Sequence, residues 1–153
     1  HLNDALPALW ARAQRDGKPL AAVIIDIDHF KRVNDERGHD AGDRLLAAFG
    51  RLLVANLRKS DVACRYGGEE FCVLMPDTDA AGARRKIAAL LRRWRGEALM
   101  LGAAGEAGTS FSAGVADSLL GVSSAQALLK RADDELLAAK RAGRNRVLVA
   151  VET

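Results

Sequence analysis

Hydrophobic and polar positions change period several times along the chain, and the changes divide it into elements. Leu2, Leu6, Leu9 and Ala13 recur at helical spacing until Asp16-Gly17 ends the pattern. Residues 20–27 form a continuous β-branched run ending in carboxylates at Asp26 and Asp28, which predicts a buried central strand with acid at its C-terminal end. Residues 31–37 predict a short helix stopped by Gly38. After a turn over 38–43, Leu45, Leu46, Phe49, Leu52, Leu53 and Leu57 mark a helix of about four turns.

Residues 62–66 and 71–75 read as two strands of a hairpin around Gly67-Gly68. Residues 76–79 form a loop with an N-cap, leading into a helix whose apolar stripe is Ile87, Leu90, Leu91 and Trp94. Arg84, Arg85, Arg92, Arg93 and Arg95 cover much of its other side and read as a solvated basic face. The Gly- and Ala-rich stretch 96–108 is expected to be irregular, with a short edge strand at 98–101. A strand over 109–116, a helix from Ala125 to about Ala142 capped by Ser123-Ser124, and a last strand over 146–151 complete the chain. After the opening helix, the order β-α-α-β-β-α-β-α-β predicts an α/β (α+β) two-layer sandwich. Its central, mostly antiparallel sheet is flanked by helices, with the hairpin in the middle.

Composition narrows the class without naming a chemistry. At 153 residues the chain suits one domain over 1–153, able to bury roughly two thirds of its unfolded surface around one core. With 49% hydrophobic and 28% charged residues it reads as an ordinary globular protein. No apolar run approaches the ~18 residues of a membrane span, and the first twenty residues lack a signal-peptide pattern. A cytoplasmic domain without membrane contact is expected. Its abrupt helical opening at His1 suggests N-terminal truncation, with an upstream sensory or dimerisation region absent. The net charge of +3 reflects 23 basic against 20 acidic residues, too small an excess to imply nucleic acid, and no aromatic-studded basic platform accompanies it. Cys64 and Cys72 flank the hairpin turn and read as reduced core residues; no zinc spacing is present.

Candidate chemistry concentrates in Arg65-Tyr66-Gly67-Gly68-Glu69-Glu70-Phe71. Like charges at a hairpin tip repel, and Gly-Gly gives up backbone entropy, so the turn needs a reason beyond turning. If strand 20–27 lies beside the hairpin, Asp26, Asp28, Glu69 and Glu70 converge at one edge of the sheet. Four carboxylates there repel by a few kcal/mol at an effective dielectric of ~20, which calls for a cation or shifted protonation. Oxygen ligands without nitrogen or sulfur point to Mg²⁺ or Mn²⁺, which also take substrate phosphates as ligands, and bare glycines let a phosphate approach the backbone. Capping of the next helix accounts equally well for Asp28. Lys140 and Arg144, four residues apart, suit either a helix dipole or a triphosphate, and the sequence leaves both open.

Four separated motifs carry a resemblance: residues 26–35 (DIDHFKRVND), 38–43 (GHDAGD), 65–71 (RYGGEEF) and 139–145 (AKRAGRN). Together they closely resemble the GGDEF diguanylate cyclase family over nearly the whole chain. The resemblance implies a fold of the nucleotidyl-cyclase and polymerase-palm type, related to the ferredoxin-like sandwich. It also implies condensation of two GTP into cyclic di-GMP with release of pyrophosphate, across a homodimer of domains with two metal ions per active site. By motif, Asp26, Glu69 and the Ile27 carbonyl look like metal ligands, with Asp26, Glu69 and Glu70 forming the catalytic set and Glu70 a base or auxiliary ligand. Asn34 and Asp43 look like guanine readers. Phe30, Lys31, Lys140 and Arg144 resemble the phosphate pocket, and Gly67 and Gly68 the turn under the nucleotide. Arg58 and Asp61 match the family's inhibitory site for the cyclic di-GMP product, although Ala89 stands where an arginine often adds to it. Arg85 and Arg92 lie one turn to either side. The alternative reading is a non-catalytic domain that binds GTP or cyclic di-GMP and regulates a partner.

Overall fold

A computed structural model describes residues 2–101 and 107–151. The elements are α1 (Leu2–Asp16), β1 (Leu20–Ile27), α2 (Phe30–Arg37), α3 (His39–Asn56), β2 (Val62–Arg65), β3 (Glu70–Pro76), α4 (Ala80–Met100), β4 (Phe111–Asp117), α5 (Ala125–Arg141) and β5 (Arg146–Val149), with a 3-10 turn at Ser118–Leu120. The sheet order is β2-β3-β1-β4-β5. β1 runs antiparallel to both β3 and β4, β2 pairs antiparallel with β3, and only the β4–β5 pairing is parallel. The expected mostly antiparallel sheet flanked by helices is therefore present, but the hairpin expected in its middle stands at one side, with β2 as an edge strand and the fully buried β1 at the centre.

Every residue of β1 is buried, which explains why its sequence runs apolar instead of alternating. Ala21, Val23, Ile25 and Ile27 face the core formed with α2, α3 and α4, whereas Leu20, Ala22 and Ile24 face a second core under α1 and α5. Helices thus cover both faces, so the two layers and one core expected from the element order become three layers and two cores. In the first core Phe49 packs against Phe71, Trp94 and Phe111 with ring centroids 4.9, 5.0 and 5.5 Å away. Truncating Phe49 would cost about 3–5 kcal/mol. On the other face α5 lies so close to β4 that a Cβ on Gly114 would come within 2.0 Å of the Ala132 carbonyl oxygen. That contact sets the depth at which α5 crosses the sheet, and with it the place where its C-terminus emerges.

Two boundaries differ from the sequence reading. The edge strand expected at 98–101 is absent: α4 continues to Met100 because Trp94 and Ala98 extend its buried stripe past Gly96. Residues 102–106, also expected to be irregular, lie outside the described residues. The turn expected over 38–43 narrows to Gly38, whose φ of 89° breaks the chain before α3 begins at His39. Cys64 and Cys72 sit directly opposite each other across β2 and β3 and are free thiols. Among the described residues no helix is long and apolar enough to cross a membrane.

Candidate active site

The hairpin is closed by the Tyr66 and Gly67 N–H groups donating to the Glu70 carbonyl at 2.8 and 3.3 Å. The Arg65 guanidinium folds back onto the Gly68 carbonyl, with Nε at 3.2 Å and Nη2 at 2.5 Å. This clamp went unnoticed in the sequence, where Arg65 counted only as part of a motif. Neither Gly67 nor Gly68 is among the residues with positive φ, and a Cβ on Gly68 would meet nothing within 4 Å. The fold therefore does not demand glycine at 68, and the surface there is open.

Beside this turn, the register pairs Asp26 with Glu70 on one side and with Ser112 on the other. Asp26 is buried, and burial pushes its carboxyl above the ordinary aspartate range. The Lys140 ammonium bonded to it works against that rise, while Glu69 and Asp28 add to it. Burial likewise raises the Glu70 carboxyl, with the Asp26 charge second. A cavity of about 430 Å³ opens over this corner, lined by Asp26, Ile27, Phe30, Lys31, Glu69, Lys140 and Arg144 among others. Glu70 is not among its lining residues; its carboxylate lies next to Gly67.

The four expected carboxylates do meet at one edge of the sheet, where Glu69 and Asp28 act on Asp26, and Asp26 and Glu69 on Glu70, and Asp28 lines the cavity as well, but they do not aim at one common centre. Asp28 turns inward and accepts hydrogen bonds from Ser110, Ser112 and the Asn145 backbone. Among the described residues no three acidic, histidine or cysteine side chains form a metal cage. The donors that remain, Asp26, Glu69 and the Ile27 carbonyl, suit a hard divalent cation that completes its shell with water or phosphate oxygen. The Lys140 ammonium on the buried Asp26 carboxylate shows that this position favours positive charge.

A second cavity of about 410 Å³ adjoins the first and shares Phe30, Lys31 and Glu69 with it; Asn34, Asp43, Arg65 and Gly68 line the rest. Asn34 Oδ1 is the one buried side-chain polar atom without a hydrogen-bond partner among the described residues. Gly42 makes room for it: a Cβ there would lie 1.9 Å from Asn34 Oδ1. Asp43 is exposed at the mouth of the same cavity.

Away from this site, Arg58 Nη2 donates to Asp61 Oδ1 (3.1 Å), to the Pro76 carbonyl (2.7 Å) and to Thr78 Oγ1 (2.7 Å). The Arg58 N–H caps Asp61 Oδ2 at 2.8 Å. Both residues line a cavity of about 400 Å³ with Val54, Leu57 and Lys59.

An acid-lined sheet edge thus adjoins a cavity holding an unpaired amide oxygen, and comparison with known proteins gives the chain a family. The sequence profile described as "Diguanylate cyclase, GGDEF domain" matches residues 1–146, and the chain belongs to that family. It is 41% identical to the response regulator PleD of Caulobacter vibrioides over 155 residues, covering 97% of this chain and 33% of that protein. With diguanylate cyclase DgcP of Pseudomonas aeruginosa it shares 40% identity over 156 residues, covering 97% of this chain and 22% of that protein. The chain thus spans a third or less of the length of these two curated relatives. The active GGEEF domain of a diguanylate cyclase from Vibrio cholerae superposes with a TM-score of 0.88 at 28% identity, covering 99% of this chain and 97% of that one. The GGDEF domain of DgcB from Caulobacter crescentus, solved in complex with c-di-GMP, does so at 0.84 and 28% identity, covering 97% and 87%.

Proposed function

We propose that this domain is a diguanylate cyclase that joins two GTP molecules into cyclic di-GMP and releases two pyrophosphates. The observation that carries the reading is the pair of adjoining cavities, one acidic and cationic, the other lined by Asn34 and Asp43. Asp43 accepts from the guanine N1 and N2 donors, and the unpaired Asn34 Oδ1 accepts from a further N–H. Adenine lacks those donors and would leave the buried Asn34 acceptor unpaired, which disfavours ATP. Phe30, Lys31, Lys140 and Arg144 surround the phosphates, and the turn of Gly67 and Gly68, bare at Gly68, admits the nucleotide.

Asp26, Glu69 and the Ile27 carbonyl would hold Mg²⁺ or Mn²⁺, two ions per active site. When bound, they supply charge neutralisation at the α-phosphate and the departing pyrophosphate. The protein's part is placement: a ribose 3′-hydroxyl of one GTP must lie in line with the α-phosphate of the other. One domain presents one GTP, so two domains must meet face to face as a homodimer. Glu70, opposite Asp26 in the register, is assigned as a base or auxiliary ligand of the same ions. Arg58 and Asp61 are assigned to inhibition by the product, with the guanidinium stacking on a guanine base.

The test is incubation with GTP and Mg²⁺ at rising protein concentration and with enforced dimerisation, following cyclic di-GMP and pyrophosphate. Product that rises faster than linearly with protein is expected. Folded protein that binds GTP or cyclic di-GMP without releasing pyrophosphate would instead establish the non-catalytic regulatory alternative.

A further inference from the structure

Asp28 was placed by its sequence among the metal-binding carboxylates or the helix caps, and the structure gives it neither place. The residue is 3% exposed. Its Oδ2 accepts from Ser110 Oγ at 2.6 Å and from the Asn145 backbone N–H at 2.9 Å, and its Oδ1 accepts from Ser112 Oγ at 2.7 Å. Its own N–H donates to the Ser110 carbonyl at 3.0 Å, and its carbonyl accepts from the Gly108 N–H at 3.0 Å. Five hydrogen bonds thus join the end of β1 to the start of β4 and to the turn between α5 and β5.

That turn is conformationally unusual. Gly143, Arg144 and Asn145 are consecutive residues at positive φ (117°, 65° and 51°), a region that glycine and asparagine tolerate but that disfavours Arg144. Such a backbone persists only where its surroundings over-determine it. Here the Arg144 N–H donates to the Ala139 carbonyl at 2.9 Å, and the Arg144 carbonyl accepts from Arg146 Nε at 2.9 Å. The next amide, that of Asn145, is the one Asp28 holds. Arg144 is therefore clamped on both sides and projects into the same cavity that Lys140 lines one turn earlier on α5.

We infer that Asp28 is a positioning residue for the triphosphate end of the site, a buried clip that fixes Arg144 and the end of α5 relative to Asp26 and Ile27. The inference rests on the reading of this site as one that binds GTP. It separates the two aspartates of β1's end by role: both line the cavity, but the Asp26 carboxylate is left for the ligand, while the Asp28 carboxylate is bonded within the protein and sets the distance between the acidic and cationic walls.

The experiment compares Asp28→Ala and Asp28→Asn with wild type, measuring GTP binding in Mg²⁺ by calorimetry and guanosine binding by saturation-transfer NMR. Hydrogen exchange at the Asn145 amide is followed in parallel. Asp28→Ala should weaken GTP by about 10- to 100-fold, as loss of a supporting shell commonly does, leave guanosine unchanged, and speed exchange at Asn145. Asp28→Asn should stay within about threefold of wild type, because its amide oxygen still accepts and its NH₂ can donate to the Ser112 hydroxyl, which accepts as readily as it donates. If Asp28→Ala does not fold, the Ser110→Ala/Ser112→Ala double variant, which keeps the carboxylate, should show the same selective loss at smaller amplitude.

Unchanged GTP affinity in these variants overturns the inference, as does parallel loss of GTP and guanosine. Equal damage from Asn and Ala also overturns it, since the charge itself would then act as a ligand. Wild-type protein that fails to bind GTP overturns the reading of the site as well, whereas a wild type that binds GTP beside an equally competent Asp28→Ala overturns the positioning role alone.

Discussion

Arg58 and Asp26 are both charged residues at the margin of the sheet, and the fold treats them in opposite ways. Arg58 finds three acceptors within the protein, and its carboxylate partner Asp61 is capped by the Arg58 backbone as well. Asp26 is buried beside Glu69 and Glu70, and the Lys140 ammonium only partly offsets the burial that raises its carboxyl. The first corner is internally satisfied and can accept a ligand only by exchanging partners. The second is under-satisfied, with an unpaired Asn34 acceptor close by, and it gains from any ligand that brings cations and N–H donors. Charge that a fold leaves unbalanced is thus a better pointer to a candidate ligand site than charge as such.

Breaking the under-satisfied corner should have the largest effect. Glu69→Gln is expected to lower cyclic di-GMP formation by about 10³-fold, the scale of losing a charged group at a transition state, with thermal unfolding unchanged. Turnover near wild type would remove this corner from the chemistry. A smaller effect tests the bare turn. Gly68→Ala meets no neighbour and no positive φ, so stability should move by less than about 0.5 kcal/mol, while GTP affinity falls about tenfold if the nucleotide lies over the turn. Equal affinity for GTP would show that the open surface serves something else.

At the satisfied corner, Arg58→Ala should cost about 1–3 kcal/mol in stability: the guanidinium is half exposed at 51%, but the Asp61 side chain it bonds is fully buried and loses a partner. It should nevertheless abolish slowing of the reaction by added cyclic di-GMP; equal inhibition of both proteins would sink the inhibitory assignment.

The smallest effect concerns the β2–β3 hairpin that joins the two corners. The hydrogen bond from Cys72 brings the Cys64 thiol down to about 7, while the same pairing and burial push the Cys72 thiol up. A depressed thiol is ionised above its own value, so iodoacetamide should label Cys64 with a rate that climbs through about pH 7 and leave Cys72 untouched. A labelling rate that responds to GTP at one end of the hairpin or to cyclic di-GMP at the other would show the corners to be coupled. A rate indifferent to both would show them to be independent.

Much of this organisation follows from local chemistry. The uninterrupted apolar run of β1, the helical stripes of α3 and α5, and the acid at Asp26 and Glu69 each declare themselves within a few residues, because strand and helix periods are properties of short segments. The end of α4 was harder to read, since Gly96 and the alanines after it are poor signals until Ala98 is seen to be buried. The role of Asp28 was unreadable: Ser110, Ser112 and Asn145 lie 82, 84 and 117 residues away in the chain. A carboxylate near a metal-binding motif looks the same in one dimension whichever way it turns.

By itself, then, the sequence determined the kinds of element, their order, and the residue types gathered at the hairpin, because backbone propensity and side-chain period act locally. Tertiary structure alone decided that helices cover both faces, that Lys140 meets Asp26, and that Asn34 Oδ1 is left without a partner. Those outcomes depend on how deeply α5 settles against Gly114 and on which donors come within 3 Å of each carboxylate, distances that exist only after the chain has closed on itself.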